Sequence, residues 1–247
     1  MHTGRFVRSF ASIAVFAIAG ALAGCSMGFD GEGVPLEELD LAGEAPTGVA
    51  LLGPDKVIIT EGTPFRVTAE GEEADKLRFT LNHGTLGVSR ATSMWSEWGG
   101  KPATVRVTMP APRNLTLVGS GHMTTSALAN QAEVSVTGSG TLEAPRIAVS
   151  RLEVSITGSG DFIGSGLAEA LTLSIAGSGN ARMEGLKTQR AEVNIMGSGN
   201  AAFMSDGEVE ANIMGSGDVT VTGNARCKAN KMGSGSVKCQ GVAQPAE

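Results

Sequence analysis

The sequence predicts an all-β fold, a two-sheet parallel β-solenoid (β-helix) whose coils are 18–20 residues long. The tripeptide Gly-Ser-Gly recurs through the second half of the chain at nearly constant spacing, and self-similarity at a fixed period is typical of repeat architectures. Apolar and polar residues alternate on both sides of each tripeptide, which predicts strands with one buried face. The serial tripeptides begin at Gly119, Gly138, Gly158, Gly177, Gly197, Gly215 and Gly233.

Residues 1–24 are predicted to form a lipoprotein signal peptide. Two arginines precede the apolar stretch Phe10–Ala23, which is too short to span a membrane as a stable helix. The stretch ends in Leu-Ala-Gly-Cys, which resembles the lipobox of bacterial lipoproteins, so Cys25 is the predicted lipidation site. Ser26 follows this cysteine in place of Asp, and the resemblance therefore implies a lipid anchor in the outer membrane.

The remainder of the chain is divided into a tether, one domain and a short tail. Residues 25–54 are rich in Gly, Pro and acidic residues and are predicted to form the lipidated N-terminus and a flexible tether. Residues 55–240 are predicted to form the solenoid domain, and residues 241–247 its C-terminal tail. The opening strands of the domain lack Gly-Ser-Gly but keep the alternation, around residues 57–59, 65–69, 77–81, 86–88 and 105–109.

Each coil is predicted to contain a strand, the Gly-Ser-Gly turn, a second strand and a return loop. Glycine is required at the turn because a tight corner between two sheets needs positive φ. Equivalent positions carry similar residues from coil to coil, which favours in-register stacking over an antiparallel sandwich of hairpins and predicts hydrogen bonds between like side chains. One such column contains Thr116, Ser135, Ser155, Ser174, Asn194, Asn212 and Asn230.

Cys227 and Cys239 fall at inward positions on the two strands of the last coil. The sequence predicts that they form a disulfide in an oxidising compartment, and two free buried thiols are the alternative. Two sulfurs without a nearby histidine are a poor metal site. No metal and no cofactor is predicted.

The strand pair VIITEGTPFRVTAEG, the segment ATVRVTMPAPRNLTLVGSG and the serial Gly-Ser-Gly turns together resemble the head GIN domain family, described as the head of an autotransporter adhesin. The resemblance covers nearly all of the chain after Cys25. It implies a two-sheet β-helix related to pectin-lyase-type solenoids without their catalytic residues, and it implies a role in cell adhesion.

The composition excludes some functions and leaves a contact loop as the candidate site. A net charge of −6 without a basic cluster argues against nucleic acid, and three histidines are too few for a histidine-based enzyme. Trp95, Glu97 and Trp98 lie in a Gly-flanked loop that could bind a surface glycan or protein, or could instead fold over the end of the core. No catalytic residue is predicted.

The leading interpretation is a non-enzymatic envelope lipoprotein, held at the membrane by its N-terminal lipid, that presents a rigid solenoid for adhesion or interaction. A polysaccharide-active lyase or hydrolase is the second, and it would need converging carboxylates; Asp161 and Glu184 are the pair to consider. A structural or ice-binding solenoid is the third. A recurring row of outward glutamates is interpreted as a solvated face rather than a calcium stripe: Glu133, Glu153, Glu192 and Glu210.

Overall fold

The structure, a computed structural model, describes residues 33–91 and 101–240. It contains sixteen strands and two single turns of 3₁₀ helix, Leu36–Glu38 and Ala74–Lys76, and these residues include no α-helix. All the strands belong to one continuous hydrogen-bonded sheet that winds around a single apolar core. The strands are β1 (Gly48–Leu52), β2 (Lys56–Glu61), β3 (Arg66–Glu70), β4 (Leu77–Asn82), β5 (Thr85–Arg90), β6 (Thr104–Met109), β7 (Asn114–Gly119), β8 (His122–Thr125), β9 (Gln131–Gly138), β10 (Thr141–Gly158), β11 (Asp161–Gly177), β12 (Asn180–Gly197), β13 (Asn200–Gly215), β14 (Asp218–Thr222), β15 (Arg226–Met232) and β16 (Ser236–Cys239).

The coils stack in parallel and in register, as the repeat predicts. Strands on the N-terminal side of each corner pair in the order β5, β1, β7, β9, β10, β11, β12, β13 and β15, and strands after the corner pair in a second row. Ile175 pairs with Ile156 on one side and with Ile195 on the other, and all three are buried. The predicted parallel solenoid is confirmed, and the antiparallel sandwich is excluded.

The Gly-Ser-Gly corners form a column in which each coil lies directly on the one before. Gly158 has φ +109°, and a Cβ there would lie 2.6 Å from the carbonyl oxygen of Gly138. Real Cβ atoms do not approach backbone oxygen this closely, so the corner requires glycine for contact between coils as well as for its dihedral angle.

The predicted return loop is wrong for the coils of β10 to β13, because the chain stays in a strand there, whereas short loops do separate β8 from β9 and β14 from β15. β10 runs unbroken over 18 residues, and it turns at a register shift between Ala144 and Ile147. A bulge of this kind bends a strand while most of its backbone hydrogen bonds to the neighbouring coils persist. Two successive outward residues at each bend divide the coil into three inward sets: Leu142 and Ala144; Ile147 and Val149; Leu152, Val154 and Ile156.

The predicted tether also ends earlier than residue 54. Residues Gly48–Leu52 form β1, a buried strand between β5 and β7. Gly53-Pro54-Asp55 then occupies the corner that Gly-Ser-Gly holds elsewhere, because the corner glycines Gly119 and Gly121 stack on the carbonyl groups of Gly53 and Asp55. The solenoid therefore begins before the predicted boundary at residue 55.

The two ends of the solenoid differ. At one end, the hairpin of β4 and β5 and the antiparallel pair of β3 with β6 cover the first coil. At the other end, among the strands of residues 33–91 and 101–240, β15 and β16 pair only with the coil below them. We call these the capped end and the open end.

Candidate functional site

Four of the residues that the sequence singles out lie outside the described residues. Cys25 precedes residue 33, and Trp95, Glu97 and Trp98 lie between residues 91 and 101. The described residues do locate the two ends of that tryptophan-containing segment. It connects β5 to β6 at the corner of the first coil, where later coils carry Gly-Ser-Gly.

An ion pair between Asp55 and Arg90 lies beside the residues that flank this segment in the chain. The Asp55 side chain is fully buried, and the guanidinium of Arg90 donates to both of its oxygens, from Nε to Oδ2 at 2.8 Å and from Nη2 to Oδ1 at 2.6 Å. The backbone N–H of Ala103 also donates to Asp55 Oδ1 at 2.8 Å. Hydrogen bonding to Asp55 raises the pKa of Arg90 further above its ordinary value. This bidentate geometry compensates the cost of burying the carboxylate of Asp55.

A second set of contacts extends this clamp to the surface. Arg90 Nη1 donates to Glu73 Oε2 at 2.6 Å, and Arg90 Nη2 donates to the carbonyl oxygen of Lys101 at 2.8 Å. The hydrogen bond from Lys76, followed by that from Arg90, lowers the pKa of Glu73. Arg90 therefore contacts residues that precede and residues that follow the tryptophan-containing segment in the chain.

Asp55 and Arg90 are not among the residues predicted from the sequence, although Asp55 carries a signal for this clamp. Asp55 stands at the third corner position, where every later coil has glycine. An acidic side chain that is buried at a corner needs a cationic partner. Arg90 is the last residue of β5, and β5 pairs with β1, the strand that precedes this corner.

Cys227 and Cys239 are joined by a disulfide at the open end, with their Cα atoms 6.3 Å apart. Cys227 pairs in register with Val209, and Cys239 pairs with Val221. Both are partly buried against the core, at the inward positions that the alternation assigns to them. The disulfide closes the last coil across its two strands.

The outward surface of the coils carries two ladders of side-chain hydrogen bonds. Asn230 Nδ2 donates to Asn212 Oδ1 at 2.8 Å, and Asn212 Nδ2 donates to Asn194 Oδ1 at 2.9 Å. The expected bonding between like side chains is confirmed here. Just after the corner, Asn200 donates to Asn180 and Asn180 donates to Asp161, each at 3.0 Å.

Several of the acidic candidates have neighbouring side chains as partners. Asp161 Oδ2 lies 3.1 Å from Arg182 Nη2, and Glu210 lies 3.4 Å from Lys228 Nζ. Glu192 accepts a hydrogen bond from Asn194 at 3.1 Å. Within residues 33–91 and 101–240, no three His, Cys, Asp or Glu side chains converge as metal ligands would. The glutamate row lies on the outward face of the sheet, as the alternation predicts.

The open end carries a cluster of basic side chains. Its strands β15 and β16 contain four cations and, from Val219 to Gln240, the chain has no acidic residue. We call this set the basic end surface: Arg226, Lys228, Lys231 and Lys238.

An open groove of about 700 Å³ runs from the basic end surface along the outside of the neighbouring coils. Arg226 and Lys228 line it beside Arg190, Glu192 and Glu208. Lys231 occupies an inward position above Ile213 but is exposed, because none of the described strands covers it.

No helix within the described part of the chain has the length and apolar character needed to cross a membrane.

The fold and these surfaces define a class of protein: a parallel β-solenoid with one capped end, one basic open end and outward faces lined by polar ladders. A family model places the chain more narrowly, because it matches residues 45–225. The chain belongs to the family described as "Putative auto-transporter adhesin, head GIN domain". The resemblance found in the sequence is thereby confirmed.

Solved structures share this fold. A "putative adhesin" from Bacteroides fragilis has a TM-score of 0.73 at 18% identity, over 79% of this chain and 93% of that chain. A "putative lipid binding protein" from Parabacteroides distasonis has a TM-score of 0.64 at 21% identity, over 79% and 93%. A "putative adhesin" from Parabacteroides merdae has a TM-score of 0.56 at 16% identity, over 79% and 92%. No curated protein matches the chain.

Proposed function

We propose that the protein is a non-enzymatic adhesin of the cell envelope, tethered to the outer membrane by a lipid on Cys25, that binds an acidic glycan through its basic end surface. The observation that carries the proposal is the concentration of cations on the last coil of an otherwise acidic chain. Membership of an adhesin-head family supports the adhesive role.

The path of the chain supports presentation of this end away from the membrane. Val34 exchanges backbone hydrogen bonds with Phe79 on β4, so the chain enters the solenoid at the capped end. Seven residues separate Cys25 from Gly33, and the eight steps between the two Cα atoms span at most about 29 Å when fully extended. With a lipid on Cys25, the capped end would stay close to the membrane and the open end would face outward.

Two of the four cations are paired with acids of the protein, and the two exposed lysines are the ones that favour an acidic ligand. Arg226 lies 3.6 Å from Glu208, and Lys228 lies 3.4 Å from Glu210, so these two cations are positioned by acids of the coil below. Lys231 and Lys238 are both exposed on the outermost strands. Carboxylate or sulfate groups along a polysaccharide would bind to cations that are held on rigid strands. Because these strands are already ordered, less conformational entropy of the protein is lost on binding.

Binding of the full chain to polygalacturonate, compared with neutral dextran, tests the proposal by calorimetry at two salt concentrations. We expect binding to polygalacturonate that weakens with salt, since exposed charge contacts are screened. The double variant Lys231→Gln/Lys238→Gln should bind about tenfold more weakly, because each exposed charge contact contributes up to ~1 kcal/mol and 1.4 kcal/mol is tenfold.

A matched variant at the capped end, Lys56→Gln/Arg66→Gln, removes the same charge from exposed strand positions and should bind as the wild type does. Equal weakening by both double variants would contradict the assignment of the surface. Release of new reducing ends from the polysaccharide would contradict the non-enzymatic role. Stronger binding to vesicles of anionic phospholipid than to polygalacturonate would contradict the glycan proposal and would indicate that the ligand is a lipid surface.

A further inference from the structure

Three methionines form an exposed row on the outside of the last three coils. Met196 pairs in register with Met214, and Met214 pairs with Met232. Their exposed fractions are 60%, 57% and 70%, so all three thioethers face solvent on one side of the solenoid. We call this set the methionine row.

The fold does not need methionine at these positions. The same column contains Thr137, Thr157 and Ala176 in the preceding coils, which keep the same register and the same corner. A long apolar side chain that is more than half exposed gains little from burial. The row is therefore not explained by packing of the core.

The neighbouring column holds the three coils at a regular spacing. Asn194, Asn212 and Asn230 lie two residues before the methionines and are hydrogen bonded to one another along the stack. Adjacent strands in a sheet are about 4.8 Å apart, so the outer two methionines of the row are attached to backbone about 9.6 Å apart. Methionine has three rotatable side-chain bonds, which allow the sulfur atoms of all three to approach a point above Met214.

Thioether sulfur is a soft, uncharged ligand that selects Cu(I) over the harder divalent ions. We propose that Met196, Met214 and Met232 bind one Cu(I) ion through their three sulfur atoms. The site does not involve the basic end surface, and it stands whether or not the protein binds a glycan. Thioethers carry no proton near neutral pH, so binding at this site releases none.

The test is a competition for Cu(I) against bicinchoninate, under anaerobic conditions with ascorbate, using the full chain with Cys25→Ser so that this thiol is absent. We expect the protein to take up one equivalent of Cu(I). Met214→Leu keeps an apolar side chain of similar size and removes the central sulfur, so it should weaken binding by at least tenfold.

Two variants serve as controls. Met204→Leu changes an exposed methionine that pairs with Lys187 and Thr222, outside the row, and should leave Cu(I) binding unchanged. Cys227→Ser/Cys239→Ser should also retain the site, which separates thioether ligands from thiols released by reduction. X-ray absorption at the copper edge should show sulfur as the only neighbour.

The proposal is overturned if the wild type takes up no Cu(I), or if Met214→Leu binds it as tightly as the wild type. Nitrogen or oxygen neighbours in the absorption spectrum, or loss of binding in the double cysteine variant, would also overturn it.

Discussion

Replacing Ile195 by aspartate should destabilise the solenoid severely, while the same replacement at Ser174 should have little effect. Ile195 is 1% exposed and lies between Ile175 and Ile213 in the inward column. Removing a buried isoleucine forfeits about 1.5–3 kcal/mol, and leaving a carboxyl group unsatisfied in that place costs roughly 1–3 kcal/mol more. The sum, about 3–6 kcal/mol, is comparable with the whole stability of many domains. Ser174 is exposed one position out of phase, so Ser174→Asp should cost under about 1 kcal/mol.

Thermal unfolding followed by circular dichroism measures the difference between the two variants. Because coils of a repeat protein can open locally, amide hydrogen exchange should accompany it. Exchange in Ile195→Asp should rise first in β11 and β13, which pair with β12 on its two sides. Ile195→Ala should lie between the two aspartate variants, since it creates a cavity without a buried charge. Equal losses for Ile195→Asp and Ser174→Asp would refute the assignment of inward and outward faces.

Three further predictions concern the anchor, the disulfide and the response to acid. Cys25→Ser should release the protein from the outer membrane fraction, and its retention there would show that the lipid prediction is wrong. Cys227 and Cys239 should be recovered as one linked peptide from a non-reduced digest, and replacing both by serine should cost about 2–3 kcal/mol for a 12-residue closure; separately alkylated thiols would contradict the pairing. The hydroxyl and then the backbone N–H of Ser236 lower the pKa of Asp218 below its ordinary 3.8, so its contribution is present at neutral pH and is lost as the pH falls below about 4. The difference in Tm between the wild type and Asp218→Asn should therefore shrink at pH 3, and a constant difference would show that the charge of Asp218 has no part in stability.

The repeating part of the fold was predictable because one signal was repeated in every coil. Alternation around each Gly-Ser-Gly assigns residues such as Leu173 and Val193 to the inside, and both are fully buried. The same phase assigns Cys227 and Cys239 to opposite strands of the last coil, where the structure joins them. Because the coils stack in register, equivalent positions in neighbouring coils must face the same way. A wrong inward or outward assignment at one position would therefore disagree with the assignments in the adjacent coils.

The strands and corners of the first coils could not be predicted in this way, because their sequences are not repeated elsewhere in the chain. β1 is covered on both faces, with Val49, Ala50 and Leu51 all buried, so its short apolar run does not alternate. Its corner uses Gly-Pro-Asp, and its neighbour β5 follows it in sequence but precedes it in the stack. The Asp55–Arg90 contact joins residues 35 positions apart, and such pairing has no periodic signal.

The bend in place of a return loop was also hidden in the sequence. Pro145 and Arg146 read as loop residues, yet both are exposed members of β10 at its register shift. Two adjacent outward residues interrupt the alternation in a bent strand just as they do in a true loop. Only the pairing of the coils on either side distinguishes the two.

Because the corner glycines stack in a column, the solenoid can be lengthened or shortened only by complete coils. A part of a coil cannot be added or lost, because any shift would place a side chain where Gly138 and Gly158 now touch backbone to backbone. A complete coil can be removed without this conflict: deleting residues 161–179 would bring Gly160 next to Asn180, and β12 would then follow β10 at a matching phase. The rod should shorten by one strand spacing, about 4.8 Å, with its capped end and its open end unchanged. The distance between the two ends can therefore change during evolution through the number of coils, without any change in the residues of either end.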